Sequence, residues 1–196
     1  MEKREFRQLV RERFKALSHE QRLQKSADVM GQLSEIIAQR EPSVVALFAP
    51  MADEVQIGEL IEQLASSGRC EVVLPRVLSL GESAEMEFYP YKAGEMASGA
   101  YGILEPQGVE PCSVADIDMM IVPGVAFTRR GVRLGRGKGY YDRYIAREGF
   151  RAECIGACYD FQIFDELPAE PHDKVMDMVV CDNSKFKIQN SKLGEC

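Results

Sequence analysis

Up to about Cys181 the chain alternates between stretches with apolar residues every three or four positions and short runs that are apolar almost throughout. The first kind buries one face of a helix, and the second fits a strand covered on both sides. Phe6, Leu9, Val10, Phe14 and Leu17 mark a first helix over about Glu2 to Leu17. Ser18 to Gln21 reads as a capping box that opens a second, with Leu23, Ala27, Met30 and Ile37 inward. Pro42 breaks that pattern, and Ser43 to Ala49 reads as a buried strand. Ile57, Leu60, Ile61 and Leu64 form a third helix, stopped by Gly68. Strands follow at Cys70–Leu74, Met86–Tyr91, Asp118–Val122, Ala152–Tyr159 and Lys174–Cys181. Gly94 to Pro111 is expected to be a long loop, and Asp160 to Asp173 an irregular crossing. Helices alternating with short strands predict an α/β sheet that is at least partly parallel. Residues 1–182 are expected to make one domain, with Asn183 to Cys196 as a polar, loose tail.

One stretch carries the chemistry. Val125 to Tyr144 follows an apolar run closed by Pro123-Gly124. Between Arg129 and Arg147 it gathers seven cations, Arg129, Arg130, Arg133, Arg136, Lys138, Arg143 and Arg147, against the single acid Asp142. A chain of net charge -7 that concentrates positive charge in this way is built to meet an anion there. Gly135, Gly137 and Gly139 alternate with two of the cations and let backbone approach a ligand. From Tyr140 a helix is expected to run to about Glu148, so that a glycine turn feeds a helix N-terminus, an arrangement suited to phosphate. The spacing is neither a P-loop, since Val132 stands at the first glycine position, nor a dinucleotide fingerprint, since the third glycine comes one residue early. A basic surface loop without a ligand is the competing interpretation.

Composition excludes several classes. No run approaches the roughly 18 apolar residues of a membrane span. The N-terminus has cations but no apolar centre, and its acids argue against a transit peptide, so the cytoplasm is the expected compartment. The acidic balance, 31 Asp and Glu against 24 Lys and Arg, argues against a nucleic-acid binder. None of the six cysteines forms a C-x-x-C pair, and reduced, buried thiols are expected. His19 and His172 have no ligand spacing to a cysteine, so no zinc site is expected.

The string PGVAFTRRGVRLGRGKGYYDRY closely resembles the signature of the 5-formyltetrahydrofolate cyclo-ligase family. The resemblance extends to Lys3-Arg4-Glu5-Phe6-Arg7, Asp53-Glu54-Val55, Leu74-Pro75-Arg76, Gly102-Ile103-Leu104-Glu105-Pro106, Phe161-Gln162 and Leu167-Pro168 through His172-Asp173. It implies a Rossmann-like three-layer sandwich of the ribose-phosphate isomerase and CoA-transferase type. It also implies ATP- and Mg2+-dependent closure of 5-formyltetrahydrofolate to 5,10-methenyltetrahydrofolate, by a chain expected to act as a monomer. By the same resemblance Lys3, Arg4 and Arg7 would bind ATP phosphates, and Arg133, Leu134, Gly135, Arg136, Gly137, Lys138, Gly139, Tyr140 and Tyr141 would wrap the nucleotide. Arg7, Ala49, Glu54 and Arg136 to Tyr140 would border the folate, with Glu54 facing the pterin ring. Lys138, Arg136 and Tyr140 are the candidate catalytic residues, Lys138 as the neutraliser of the moving phosphoryl group. Asp142 and Asp173 would hold Mg2+.

Each assignment has a plainer alternative. Asp142 could be a first-turn acid favoured by the helix dipole, Asp173 a cap, and the two tyrosines ordinary core residues. Lys3, Arg4 and Arg7 could be solvated surface charge, and Glu54 loop charge. An isomerase-like or CoA-transfer activity on the same architecture needs a carboxylate beside the phosphate loop but no ATP, and a binding protein without turnover would release no ADP. The chain also departs from the family's usual pattern. Val55-Gln56-Ile57 stands for Val-Asp-Thr, Ala49-Pro50 for a serine-containing turn, and Val180-Cys181-Asp182 for an ending that is often Thr-Glu. These changes bear on the folate pocket, not on the nucleotide motif.

Overall fold

The apolar runs alternate their side chains between two faces, and the fold gives each face its own cover. The computed structural model describes residues 1–79, 85–170 and 173–188. Helix α1 (Lys3–Ala16) is followed by α2 (His19–Arg40), opened by the expected capping box: Ser18 Oγ accepts from the Gln21 N–H at 3.1 Å, and Gln21 Oε1 accepts from the Ser18 N–H at 2.8 Å. The chain then enters β1 (Val44–Ala46), crosses through α3 (Gly58–Ser67), which Gly68 ends at φ 63°, and returns as β2 (Glu71–Ser79) and β3 (Glu85–Pro90).

The segment expected to be a long loop contains a hairpin, β4 (Met96–Ser98) with β5 (Leu104–Pro106). Three-residue strands in a Gly- and Pro-rich stretch are too short to carry an alternation that sequence could reveal. Next come β6 (Met119–Pro123), β7 (Ala126–Thr128) and β8 (Arg133–Leu134), the last two an antiparallel pair inside the glycine-rich stretch. Helix α4 (Tyr140–Ile145) stops short of Glu148: Arg147 N–H turns in to the Tyr144 carbonyl, and Gly149 at φ 82° redirects the chain. It leads to β9 (Glu153–Ala157), β10 (Ile163–Phe164), β11 (Met178–Cys181) and β12 (Ser184–Lys187).

Strand β12 corrects the expected loose tail. Asp182-Asn183 forms a two-residue turn, and Ser184–Lys187 pairs antiparallel with β11, placing Phe186 against the core. The tail beyond residue 188 lies outside the described residues.

Among the described residues the main sheet has seven strands in the order β12-β11-β9-β6-β1-β2-β3. The five central strands run parallel, and the two edges are antiparallel. The α/β expectation thus holds. Val45, Leu47, Val72, Leu74, Met119, Ile121, Ile155 and Val180 face α2 and α3. Their neighbours Ala46, Val73, Met120, Val122, Cys154 and Val179 face the other way, toward Tyr144 of α4 and Phe127 of a small sheet ordered β10-β7-β8. Helix α1 covers that small sheet through Phe6 and Val10 on Ala126 and Leu134. Cys154, Cys158 and Cys181 are buried free thiols, and burial raises the pKa of each.

Candidate active site

Parallel strands leave their last backbone groups and following loops at one end of the sheet, where ligands gather in α/β folds. At that end the loops after β1 and β6, the β8–α4 loop, the β4–β5 hairpin and the start of α1 enclose a cavity of about 630 Å3, within the range of small-molecule sites.

The β8–α4 loop forms one wall with Gly135, Arg136, Gly137, Lys138 and Gly139, continued by Tyr140, Tyr141 and Asp142. Gly137 and Gly139 take φ 98° and 68°, conformations that other residues rarely hold. A Cβ on Gly137 would lie 3.3 Å from the Arg7 guanidinium, and one on Gly139 would lie 2.8 Å from that of Arg143. The glycines thus let two cations lie against the loop. Arg7 is further tied to it, its Nε donating to the Gly135 carbonyl at 3.0 Å. At six residues α4 is under two turns, so its dipole adds little; the positive field comes mainly from the cations. Lys138 is exposed on the loop and, among the described residues, makes no ion pair.

The opposite wall comes from the loop after β1: Phe48, Ala49, Met51 and Glu54. Glu54 keeps only 11% of its side chain exposed. Burial raises its pKa, opposed by the Met51 N–H and by Arg136. Arg136 bridges the two walls. It donates to both oxygens of Asp53, at 2.5 and 3.2 Å, and to Oε1 of Glu54 at 3.1 Å.

Lys3 reaches the cavity from the first turn of α1 and pairs with Glu170 at 2.8 Å and Asp173 at 3.1 Å. The Glu170 hydrogen bond is the main cause of its raised pKa. Asp173 also accepts the Glu170 N–H at 2.8 Å, so the expected metal ligand serves as a local cap as well. Asp142 accepts from Arg133 Nη2 at 2.8 Å. Among the described residues no three His, Cys, Asp or Glu side chains converge on one point. Asp142 and Asp173 both line the cavity, and a Mg2+ ion takes one or two carboxylates with water and phosphate oxygens as its other ligands.

The structure therefore brings together Lys3, Arg7, Ala49, Glu54, Arg133 to Asp142 and Asp173 on one cavity. Arg4 is the exception; it is exposed on α1 and does not line the cavity. Sequence reasoning assigned no role to Tyr101, Ile103 and Glu105, which the hairpin contributes as a third wall. Tyr101 is 52% exposed with φ 59°, and its hydroxyl lies 3.3 Å from that of Tyr140. Burial, followed by this contact, pushes the Tyr140 phenol up to about 12. The available signal was the Gly102–Pro106 run, one of the stretches that carry the resemblance.

Comparison with known proteins places the chain as a whole. The family model described as "5-formyltetrahydrofolate cyclo-ligase family" matches residues 1–182. The 5-formyltetrahydrofolate cyclo-ligase of Saccharomyces cerevisiae is 31% identical over 202 residues, 89% of this chain and 94% of its own. That of Escherichia coli K12 is 32% identical over 184 residues, 88% of this chain and 96% of its own. The solved structure of Aquifex aeolicus 5,10-methenyltetrahydrofolate synthetase superposes with a TM-score of 0.85 at 32% identity, covering 100% of this chain and 97% of that one.

Proposed function

The chain belongs to the 5-formyltetrahydrofolate cyclo-ligase family, and from that premise we propose that it closes 5-formyltetrahydrofolate to 5,10-methenyltetrahydrofolate at the expense of ATP. The observation that carries this reading is the opposition of walls: a glycine loop with cations faces a nearly buried carboxylate across one cavity. One side suits a triphosphate and the other the N–H donors of a pterin.

The chemistry explains the need for both. A formamide oxygen is a poor leaving group. In the proposed reaction it attacks the γ-phosphorus, forming an O–P bond as the bond to ADP breaks. The second folate nitrogen then attacks the activated formyl carbon, the C–O bond breaks to release phosphate, and that nitrogen loses its proton. Such transfers depend on positioning and charge stabilisation rather than on covalent work by side chains.

Lys3 and Arg7 hold phosphates at the α1 end, while the Gly135–Gly139 backbone and Tyr140 and Tyr141 enclose the nucleotide. Lys138, unpaired among the described residues, meets the charge on the moving phosphoryl group. Arg136 passes from Asp53 and Glu54 to phosphate oxygens as the substrates enter, and Tyr140 borders the reacting centre. Asp142 and Asp173 would hold Mg2+, which supplies neutralising charge on the phosphates. Arg4, turned to solvent, contributes only to the surrounding field. The proposal further takes the chain to act as a monomer in the cytoplasm. Among the described residues no helix is long and apolar enough to cross a membrane.

The test is direct. The protein is mixed with 5-formyltetrahydrofolate, ATP and Mg2+, and the near-ultraviolet absorbance of the methenyl product is followed together with ADP release. No absorbance change and no ADP would end this reading.

A further inference from the structure

Glu54 sits on a turn that also carries Gln56, two residues on. The Gln56 carboxamide donates one hydrogen to the Met51 carbonyl at 2.8 Å and the other to the Glu54 carbonyl at 2.7 Å. A carboxylate has no hydrogens to donate in this way. The same Glu54 carbonyl accepts from the Tyr159 hydroxyl at 3.1 Å. With that hydrogen committed, the Tyr159 oxygen accepts from Ser26 Oγ at 2.9 Å, and Ser26 Oγ accepts the Gln56 backbone N–H at 3.1 Å. The bonds close a ring from the Gln56 backbone through Ser26, Tyr159 and the Glu54 carbonyl to the Gln56 side chain. Ser26 and Tyr159 are buried, at 2% and 0% exposure, so the bond between them is shielded from water, while the bonds to the turn are part-buried.

The ring bears directly on the carboxylate. Glu54 Oε2 accepts the Met51 N–H at 2.9 Å, and Met51 is held through its carbonyl by Gln56. One carboxylate oxygen is thereby fixed to the turn, and Oε1 is left to Arg136 and the cavity. We propose that Gln56, with Ser26 and Tyr159, is a positioning device that sets the Glu54 carboxylate for the N–H edge of the pterin, and so determines folate affinity in this chain. The inference rests on the cavity reading given above, in which Glu54 meets the folate.

The experiment uses the full chain and the absorbance assay, with KM measured separately for 5-formyltetrahydrofolate and for ATP. Gln56→Met keeps the length without the donors, and Gln56→Glu sets an acceptor against two carbonyls. Each is expected to raise the folate KM about tenfold, with kcat and the ATP KM within about twofold of the native values. Tyr159→Phe, which removes one of the two bonds to the Glu54 carbonyl at nearly constant volume, shifts the folate KM in the same direction by less. If the Gln56 variants do not fold, Tyr159→Phe decides by the same split. Equal rises for both substrates, or an unchanged folate KM, overturn the proposal. Glu54→Gln separates the two possible failures. If it raises the folate KM while the ring variants do not, only the positioning role falls; if it has no effect, the cavity reading falls and takes this inference with it.

Discussion

Arg133 and Asp142 meet at 2.8 Å at the root of the glycine loop, and the arginine side chain is only 4% exposed. The pair joins β8 to α4 and fixes one oxygen of the carboxylate proposed to hold Mg2+. Removing the acid leaves a guanidinium shut away from water with no counter-charge. Asp142→Ala is therefore expected to cost about 3 kcal/mol of stability as well as to raise the Mg2+ requirement. Denaturant unfolding checks the first and a metal titration of turnover the second; an unchanged titration would reduce Asp142 to its structural role.

Lys138 lies on the opposite side of that balance. It is exposed and, among the described residues, supports no ion pair, so its loss is expected to leave folding intact. Lys138→Ala should lower turnover by about a hundredfold or more with an unchanged melting temperature. A near-normal rate would remove the lysine from the mechanism.

Glu54 gives a pH signature. Burial raises its pKa, so the acid limb of kcat/KM for folate should lie above the ordinary carboxylate range and disappear in Glu54→Gln. Stability runs the opposite way. A fold that favours the protonated carboxyl gains from Glu54 below the unfolded pKa and loses that gain as pH rises through the folded one. The melting temperature of Glu54→Gln relative to the native chain should accordingly increase as pH rises from the ordinary carboxylate pKa through the raised one.

Gly137 tests the loop itself. At φ 98° an alanine costs about 1–2 kcal/mol, and its Cβ would crowd the Arg7 guanidinium at 3.3 Å. Gly137→Ala should therefore weaken ATP binding measured by calorimetry.

The main sheet was legible because Val45, Val72, Met119, Ile155 and Val180 sit in runs long and apolar enough to announce buried strands. The β4–β5 hairpin and β8 were not legible, because two or three residues carry no period. The Ser184–Lys187 strand was masked by its polarity, although Asp182-Asn183 was a usable turn signal. At the site, the motif residues Gly135 to Asp142 could be read directly. The engagement of Arg136 with Asp53 and Glu54 could not, because it joins loops more than 80 positions apart. Nothing in the sequence singles out the contacts of Gln56; its ring through Ser26 and Tyr159 depends on where α2 and the end of β9 are placed by the core.

The closing hairpin at the C-terminal edge of the sheet carries a consequence for anyone shortening the chain. Every residue of Met178–Cys181 is buried, and Ser184–Lys187 is what occupies its outer side, with Lys185 and Lys187 turned away from the core. A truncation before Ser184 would bare a wholly apolar strand with unpaired amides, an invitation to self-association that the two lysines now discourage. Such a fragment is expected to form aggregates although every residue of the cavity is still present.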